Sequence, residues 1–345
     1  MPSATLSPAT ARGSDFAALS QLIARAGLLR RRPGYYLVRI GLVTCLYIGG
    51  WATFAVVGDS WYQLIVASFM AVVFTQLALV AHDIAHRQVF RTRRPSQIAG
   101  LLAGNLGIGM SYGWWMDKHS RHHANPNHEE RDPDVLPDVL IWSTRQARAS
   151  AGIPRLLGRF QAYLFFPLTT LQGLSLKVSS VRALTGPVVR HRRVEAVLLF
   201  LHIAAYLTAV LLVLSPAKAV AFLAVHMGLF GVYLGCTFAP NHKGMQTLTN
   251  DDEPLDFLRR QVLTSRNVRG GHFITMLLGG LNYQIEHHLF PNMPTPNLRH
   301  ARLIVRDYCA RIGVPYAEAS LAGSYRQALR HLHDAGAPIR NRRDT

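Results

Sequence analysis

Four long apolar segments without charged residues constrain this chain more than any other feature of its sequence. The segments are residues 40–57, 63–81, 196–214 and 219–238. Each has about the 20 residues that an α-helix needs to cross a hydrocarbon core of roughly 30 Å. Short polar turns join the first to the second and the third to the fourth. The segments predict an all-α integral membrane protein with four transmembrane helices in two hairpins. Buried helices of a soluble protein are the alternative.

The basic residues predict how the helices are oriented. The 345-residue chain has 37 Lys+Arg and a formal net charge of +18. Sixteen of these basic residues lie in 87–193, one lies in the turn 215–218 and none lies in the turn 58–62. By the positive-inside rule, both turns are outside, and both termini and 87–193 are cytoplasmic. A basic nucleic-acid-binding protein is another class with this charge, but the four apolar segments and the lack of a recognisable binding module argue against it.

The rest of the chain divides into three regions. Residues 1–34 are expected to form a mobile basic segment, 35–310 a membrane domain, and 311–345 a cytoplasmic C-terminal tail that is frayed from Arg330 onward. Two weaker apolar stretches, 98–116 and 156–176, are interrupted by glycines or by Arg and Pro. We expect them to form re-entrant or interfacial helices packed on the membrane face.

The histidines are grouped at the ends of the predicted helices. His82 and His86 close the second apolar segment, and a spacing of four residues places both imidazoles on one helix face, within reach of one metal ion. The other groups are His119-Ser120-Arg121-His122-His123, Asn241-His242 and Gln284-Ile285-Glu286-His287-His288.

The predicted topology brings all of these groups to one face of the membrane. Imidazoles without thiolates suit iron, copper, zinc or nickel, and the three cysteines form no CxxC pair. Eight candidate ligands are too many for one ion. The sequence therefore predicts a histidine-rich two-metal site in a cytoplasmic helical cap.

The three motifs HxxxH, HxxHH and QxxHH, together with two hairpins, resemble the membrane fatty acid desaturase superfamily. Residues 241–245, 264–268 and 289–294 add a likeness to bacterial acyl-CoA and acyl-lipid desaturases of actinobacterial type, with a QxxHH third motif that front-end desaturases share. The resemblance covers about 35–310. It implies a multi-pass protein of a bacterial plasma membrane with a cytoplasmic active site.

The resemblance also implies roles for individual residues. The metal ligands it implies are His82, His86, His119, His122, His123, His242, His287 and His288. Gln284 stands where related acyl-CoA desaturases have another histidine, so it is either a ligand or a supporting residue, and Asn241 is a candidate to hold a metal-bound water. Asp83, Asn125 and Glu286 are candidates to orient the ligating imidazoles.

The remaining histidines and the aromatic residues near the motifs have plainer interpretations. His226 lies too far from His242 along the fourth segment to be a ligand, and His128 is expected at the surface. His272 lies near the site and could contact a metal. Trp114 and Trp115 are expected to be interfacial anchors or packing residues.

By the same resemblance, the activity is O2-dependent desaturation of a fatty acyl-CoA or acyl-lipid at two iron ions, which leaves a cis double bond. The sequence has no His-Pro-Gly-Gly haem motif, no flavin or nicotinamide fingerprint and no cysteine set for an iron–sulfur cluster. We therefore expect a separate electron-transfer protein of ferredoxin- or flavodoxin-reductase type. A hydroxylase of the same superfamily is the alternative. A metal transporter is less favoured because the histidines cluster outside the apolar segments.

Overall fold

A computed structural model describes residues 14–340, most of which are α-helical. One short parallel pair of strands, β1 and β2, lies among the helices of the C-terminal half. The elements are α1 (Asp15–Arg25), α2 (Pro33–Val57), α3 (Gln63–Ala85), α4 (Arg93–Leu101), a π-helical segment (Leu102–Ile108), α5 (Tyr112–Ala124), α6 (Thr144–Ala149), α7 (Gly152–Gly158), α8 (Gln161–Thr169), α9 (Gln172–Ala183), α10 (Arg192–Val213), α11 (Pro216–His242), α12 (Phe257–Leu263), β1 (Asn267–Arg269), α13 (His272–Leu277), α14 (Gln284–Leu289), α15 (Thr295–Arg311), β2 (Glu318–Ser320), α16 (Leu321–Ala335) and α17 (Ala337–Arg340).

Within the described residues, four helices are long and apolar enough to cross a membrane: α2, α3, α10 and α11. They coincide with the four predicted apolar segments, so the prediction of four such helices is confirmed. Each helix extends beyond its segment at one end or both, and α10 ends one residue before its segment does. The central window of α3 is 56% buried, whereas that of α2 is 17% buried. Helix α3 is therefore the centre of the bundle, packed against α11, and α2 leaves most of its apolar side chains on the outside.

The two short turns lie side by side at one end of the bundle. Proline occupies the first turn of α2 and of α11, where its missing N–H costs no hydrogen bond. Gly58 ends α2 at a φ of 61°, a conformation that favours glycine. The Ser215 N–H and hydroxyl donate to Asp59, and Lys218 forms an ion pair with the same carboxylate. Because both turns lie at this end of the bundle, the carboxyl ends of α3 and α11 lie together at the opposite end.

The glycine-rich stretch 98–116 enters the bundle and turns back. Its π-helical segment ends at Gly109, whose φ is 70°; an added Cβ there would lie 2.3 Å from the His202 ring. The Tyr47 hydroxyl donates to the Gly107 carbonyl, and His202 Nδ1 lies 2.9 Å from the Leu106 carbonyl. These partners come from the middle of α2 and α10. The segment is thus a reversing insertion between long helices and does not form a fifth one.

A buried carboxylate holds the end of this insertion in place. Glu195, on the first turn of α10, accepts hydrogen bonds from the Asn105 side-chain amide, the Ser111 hydroxyl and the Gly113 N–H. A buried carboxylate needs such donors. Ser111 also caps the N-terminus of α5, the helix that carries three of the predicted ligands. Glu195 therefore fixes where α5 begins.

The second weak stretch, 156–176, forms the short helices α8 and α9, which pack on α11. The contact is made by glycines: a Cβ on Gly231 would lie 2.4 Å from the Thr169 carbonyl oxygen, and one on Gly173 would lie 2.6 Å from the Met227 carbonyl oxygen. Small residues allow two helix backbones to approach this closely.

Both ends of the described chain form packed helices, where the sequence predicted mobile or frayed segments. Residues 15–25, expected to belong to a mobile segment, form α1, and Leu19 and Ile23 are buried in a core with α12, α14 and α15. The expected frayed end from Arg330 is instead the rest of α16 followed by α17, with Leu332 and Ile339 buried. The structure differs from those expectations at these residues because amphipathic helices find apolar partners elsewhere in the chain. Residues 1–13 and 341–345 lie outside the described part.

Candidate metal centre

The eight predicted ligands meet at the end of the bundle opposite the two short turns. They come from α3 and its C-cap, α5, α11 and α14, and they form two groups. In each group, the nitrogen atoms able to bind a metal all lie within 4.8 Å of one another. The first group is His82, His86, His119, His123 and His287, and the second is His122, His242 and His288.

Helix geometry explains why neighbours in sequence belong to different groups. His119 and His123 are four residues apart on α5 and face the first group, while His122 points to the second. The rings of His122 and His123 lie at 83° to each other, and those of His287 and His288 at 84°. Helices α5 and α14 therefore each contribute to both groups, which places two possible metal positions next to each other.

In the first group, ring nitrogens point at one another with no protein partner between them. His86 Nε2 and His123 Nε2 lie 2.8 Å and 3.0 Å from His119 Nε2. His82 Nε2 and His287 Nε2 are buried and have no hydrogen-bond partner among the described residues. Buried polar atoms are normally paired. Converging unpaired imidazole nitrogens are what a metal ion requires.

In the second group, each imidazole is held by its other nitrogen. His122 Nδ1 lies 2.9 Å from the Asp132 carboxylate, His242 Nδ1 lies 3.0 Å from the Thr264 carbonyl, and His288 Nδ1 lies 2.9 Å from the Gln261 side-chain oxygen. An acceptor at Nδ1 keeps the proton there and leaves the Nε2 lone pair free. All three rings are therefore oriented to offer Nε2 to one point.

The electrostatics of the site keep most of these imidazoles neutral. Burial lowers the pKa of four of them well below the usual value, and the neighbouring imidazoles lower it further; the four are His119, His123, His287 and His288. Burial also lowers the pKa of His122, but the Asp132 carboxylate more than offsets it, so that this pKa is raised. Neutral imidazoles have the lone pairs that bind metals.

Gln284 and Asn241 lie beside the second group. Gln284 Nε2 is 2.9 Å from His242 Nε2, and the Gln284 side-chain oxygen accepts a hydrogen bond from the Asn241 amide. Asn241 Oδ1 is buried without a partner in the described part of the chain. Gln284 thus sits at the metal-facing nitrogen of His242, and Asn241 fixes the orientation of its amide.

The other three predicted supporting residues make different contacts. Asp83 pairs with Arg39 at 2.9 Å and lies 3.5 Å from His82 Nδ1. Glu286 accepts hydrogen bonds from Asn267 and Tyr316, and burial raises its pKa to about 7. Asn125 ends α5, and its side chain makes no hydrogen bond to a cluster histidine within residues 14–340. Of the three, only Asp83 has a side chain that approaches a ligand imidazole within the described residues.

Sequence reasoning missed several residues that support the histidines. Gln261 lies 27 positions before the histidine that it holds, and Asn127 links the two sides of the site by donating to the His242 carbonyl while its N–H donates to Asp132. Trp115, expected to be an anchor or a packing residue, stacks on His119 with ring centroids 4.5 Å apart. Only its spacing of four residues from His119 could have indicated this.

The other eight of the 16 histidines lie outside both groups. His226 is buried beside the Tyr206 hydroxyl, 2.6 Å away, as expected for a residue that is not a ligand. His202 lies in the bundle next to the π-helical segment. His272 is exposed at the start of α13. His128 is buried, not at the surface as expected, because the loop after α5 that carries it pairs with Leu248 through an isolated β-bridge.

A cavity of about 240 Å³ runs from the histidines into the bundle. Part of the lining is polar: Lys118 pairs there with Asp134, and the Lys243 ammonium lies over the Trp142 ring. Four of the eight histidines, Gln284 and Trp115 also line the cavity. The rest is apolar; its lining includes Leu79, Ile108, Met110, Leu176, Phe230, Leu234 and Phe238. The cavity therefore joins the metal-binding nitrogens to an apolar space suited to a hydrocarbon chain.

Comparison with known proteins gives a consistent result. Residues 59–320 match the model of the family described as "Fatty acid desaturase". The chain is 29% identical over 333 residues to the acyl-lipid (9-3)-desaturase of Physcomitrium patens, covering 93% of this chain and 62% of that protein. It is 30% identical over 317 residues to a Delta(8)-fatty-acid desaturase of Euglena gracilis, covering 88% and 74%. A Delta(5) fatty acid desaturase of Caenorhabditis elegans is 31% identical over 268 residues, covering 74% and 60%. The chain thus spans between three fifths and three quarters of the length of these relatives.

Proposed function

Because the chain belongs to the fatty acid desaturase family, we propose that it introduces a cis double bond into a fatty acyl chain, with O2 as the oxidant. Two hydrogens leave neighbouring carbons of the chain, and O2 is reduced to two molecules of water. The substrate supplies two of the four electrons, and an external donor supplies the other two. The observation that carries this proposal is the apolar cavity that leads directly to two groups of converging imidazoles.

The eight histidines fit a pair of iron ions, one in each group. When bound, iron supplies the O2 activation that no side chain provides. The protein holds the ligands: Asp132, Gln261 and the Thr264 carbonyl keep three imidazoles in the tautomer that offers Nε2. Trp115 restricts the His119 ring by stacking on it. Gln284 is assigned a supporting role because its amide lies next to His242 Nε2 and is oriented by Asn241.

The cavity positions the acyl chain. Phe230, Leu234 and Phe238 line it along α11, the helix that ends at His242. Phe230 is twelve residues before His242, a distance of about 18 Å along a helix. An extended hydrocarbon chain that fills this space presents fixed carbons to the histidines, and the apolar walls exclude water from the reacting atoms. The polar part of the cavity, with Lys118 and Lys243, holds the head of the substrate. That head is either coenzyme A, joined as a thioester, or a lipid headgroup.

The proposal includes a membrane topology. The four long helices cross the bilayer, with the two short turns on the outside and the histidine end in the cytoplasm, as the distribution of Lys and Arg predicts. A substrate with a polar head and an apolar chain then reaches the site from the membrane surface. The electron donor is a separate protein on the cytoplasmic side, of ferredoxin- or flavodoxin-reductase type.

Expression in a host that lacks the activity, followed by lipid analysis with double-bond mapping, tests the proposed function. We expect a new unsaturated fatty acid with the double bond at one position, and none in cells that express the His287→Ala variant at the same level. A hydroxylated fatty acid as the main product would assign the chain to a hydroxylase. If the protein is present in the membrane together with a reductase and the fatty acid profile is unchanged, both the desaturase and the hydroxylase assignments are contradicted.

A further inference from the structure

A second cavity, of about 390 Å³, lies between α4, α5 and the start of α10, and it is separate from the eight histidines. Its lining is basic. Arg87 comes from the loop after α3, Arg93 is the first residue of α4, and Arg190 precedes α10, with His191 beside it. Two segments that are distant in sequence, 87–93 and 190–191, therefore bring three arginines to one cavity.

These three guanidinium groups are not neutralised by the protein. Within residues 14–340, none of them forms an ion pair with a carboxylate, whereas other arginines, such as Arg302, are paired. Glu195 lines the same cavity, where its oxygens accept hydrogen bonds from the neutral donors of Asn105, Ser111 and Gly113, and its single negative charge offsets only part of the charge of the three arginines. The cavity thus has unpaired positive charge.

The position of Arg87 is set by its backbone. Arg87 has a φ of 56°, which is uncommon for a residue with a side chain, and its carbonyl accepts a hydrogen bond from the Arg31 guanidinium. Burial raises the pKa of the Tyr112 phenol to about 12, and the charge of Arg87 offsets part of this increase, so the guanidinium lies near that ring. The Tyr112 hydroxyl has no partner in the described part of the chain and is a further donor in the cavity.

Exposed apolar side chains flank the cavity. Ile98 on α4 and Leu102 at the start of the π-helical segment are four positions apart, and each is about half exposed. Val194 and Val197 on α10 are three positions apart and equally exposed. Such spacings place each pair on one helix face. The π-helical segment packs directly against α10, and Gln97 and Leu101 beside the first pair and Glu195 beside the second pair line the cavity. The two apolar faces therefore lie next to the same basic cavity.

We propose that this cavity binds the phosphate-bearing headgroup of an anionic phospholipid, whose acyl chains lie against the apolar faces of α4 and α10. Basic cavities at the boundary between transmembrane helices and the membrane surface bind such headgroups, and arginine matches phosphate oxygens with paired donors. A protein partner with an acidic surface accounts for the charge but not for the apolar flanks. The proposed lipid is separate from the acyl substrate.

The test compares two triple variants with the same change in charge. The first replaces the cavity arginines: Arg87→Gln, Arg93→Gln and Arg190→Gln. The control replaces three exposed arginines that have no carboxylate partner in the described residues: Arg148→Gln, Arg326→Gln and Arg330→Gln. Native mass spectrometry measures the binding of phosphatidylglycerol and of phosphatidylcholine to each purified protein.

We expect the parent protein and the control to bind phosphatidylglycerol in preference to phosphatidylcholine. Each basic residue near a membrane surface contributes about 1 kcal/mol, so the cavity variant should bind phosphatidylglycerol about 100-fold more weakly. The unfolding midpoint in detergent without lipid checks that the cavity variant is folded. If it is not, the single variant Arg190→Gln replaces it, with an expected loss of about fivefold.

Three results would overturn the proposal. The first is equal binding of phosphatidylglycerol by the cavity variant and the control. The second is binding of inorganic phosphate as tight as that of phosphatidylglycerol, which would make the cavity a site for free phosphate. The third is unchanged lipid binding together with loss of turnover driven by a reductase, which would make the cavity a docking surface for a protein.

Discussion

At the residue scale, the second histidine group depends on acceptors that hold the far side of each ring. Asp132 accepts a hydrogen bond from His122 and is fully buried. Asp117 lies on α5, as His122 does, but it pairs only with the exposed Arg121. We expect Asp132→Asn to weaken iron binding by about 10- to 100-fold, because the ring loses its charged partner. Asp117→Asn is the matched control and should bind iron normally. Equal iron retention at increasing chelator concentration in the two variants would contradict this role.

Gln284 gives a second prediction at this scale. Its amide contacts His242 Nε2 and Asn241, which is the basis of the supporting role proposed for it. Gln284→Ala should therefore lower the rate of desaturation while the iron content stays close to that of the parent protein. Gln246→Ala, at an exposed position, serves as the control. Loss of one iron per chain would show instead that Gln284 is a ligand.

The residues of the site were only partly predictable from sequence. The spacings of three and four residues identified the histidines because helix geometry is local. The acceptors could not be found in the same way: Gln261 and the Thr264 carbonyl come from α12 and its C-cap, and only the tertiary fold brings them to His288 and His242. Glu286 was a reasonable candidate by its position next to His287, but its side chain points to Asn267 and Tyr316.

At the scale of secondary structure elements, the contact between α11 and the α8–α9 segment depends on glycine. A Cβ on Gly231 would lie 2.4 Å from a backbone oxygen, which cannot move without displacing the helix, whereas one on Gly228 would meet its nearest atom at 3.8 Å. We expect Gly231→Ala to destabilise the protein by about 1–3 kcal/mol through overpacking. Gly228→Ala should be nearly neutral. Thermal unfolding in detergent measures both, and equal midpoints would contradict the close contact.

The long apolar helices were predicted well because a run of about 20 apolar residues is compatible with few structures other than a membrane-spanning helix. The shorter elements were predicted poorly because they depend on contacts with distant residues. Helices α1 and α16 are amphipathic, and they are stabilised by apolar partners distant in sequence, such as α15 for α1. The π-helical segment depends on His202 and Glu195, which lie about 90 residues further along the chain. Local composition indicates neither the apolar partners of α1 and α16 nor the distant side chains that hold the π-helical segment.

At the scale of the whole molecule, we expect the two ends of the bundle to lie on opposite sides of a membrane. In a variant without its three cysteines, a single cysteine at Tyr62 should be labelled from outside the cell, and one at Ser120 only after the membrane is opened. Both positions are exposed. The asymmetry of basic residues between 58–62 and 87–193 is the reason for this orientation. Labelling of both positions from the same side would contradict the topology.

The central claim is that two adjacent groups of histidines hold two iron ions at which a fatty acyl chain is desaturated. The most direct measurement is the metal content of purified, active protein, compared with one ligand variant from each group: His287→Ala and His288→Ala. We expect about two irons per chain in the parent protein, less iron in both variants, and loss of desaturation in both. Active protein that contains zinc alone, or a variant that keeps full activity with its iron reduced, would contradict it.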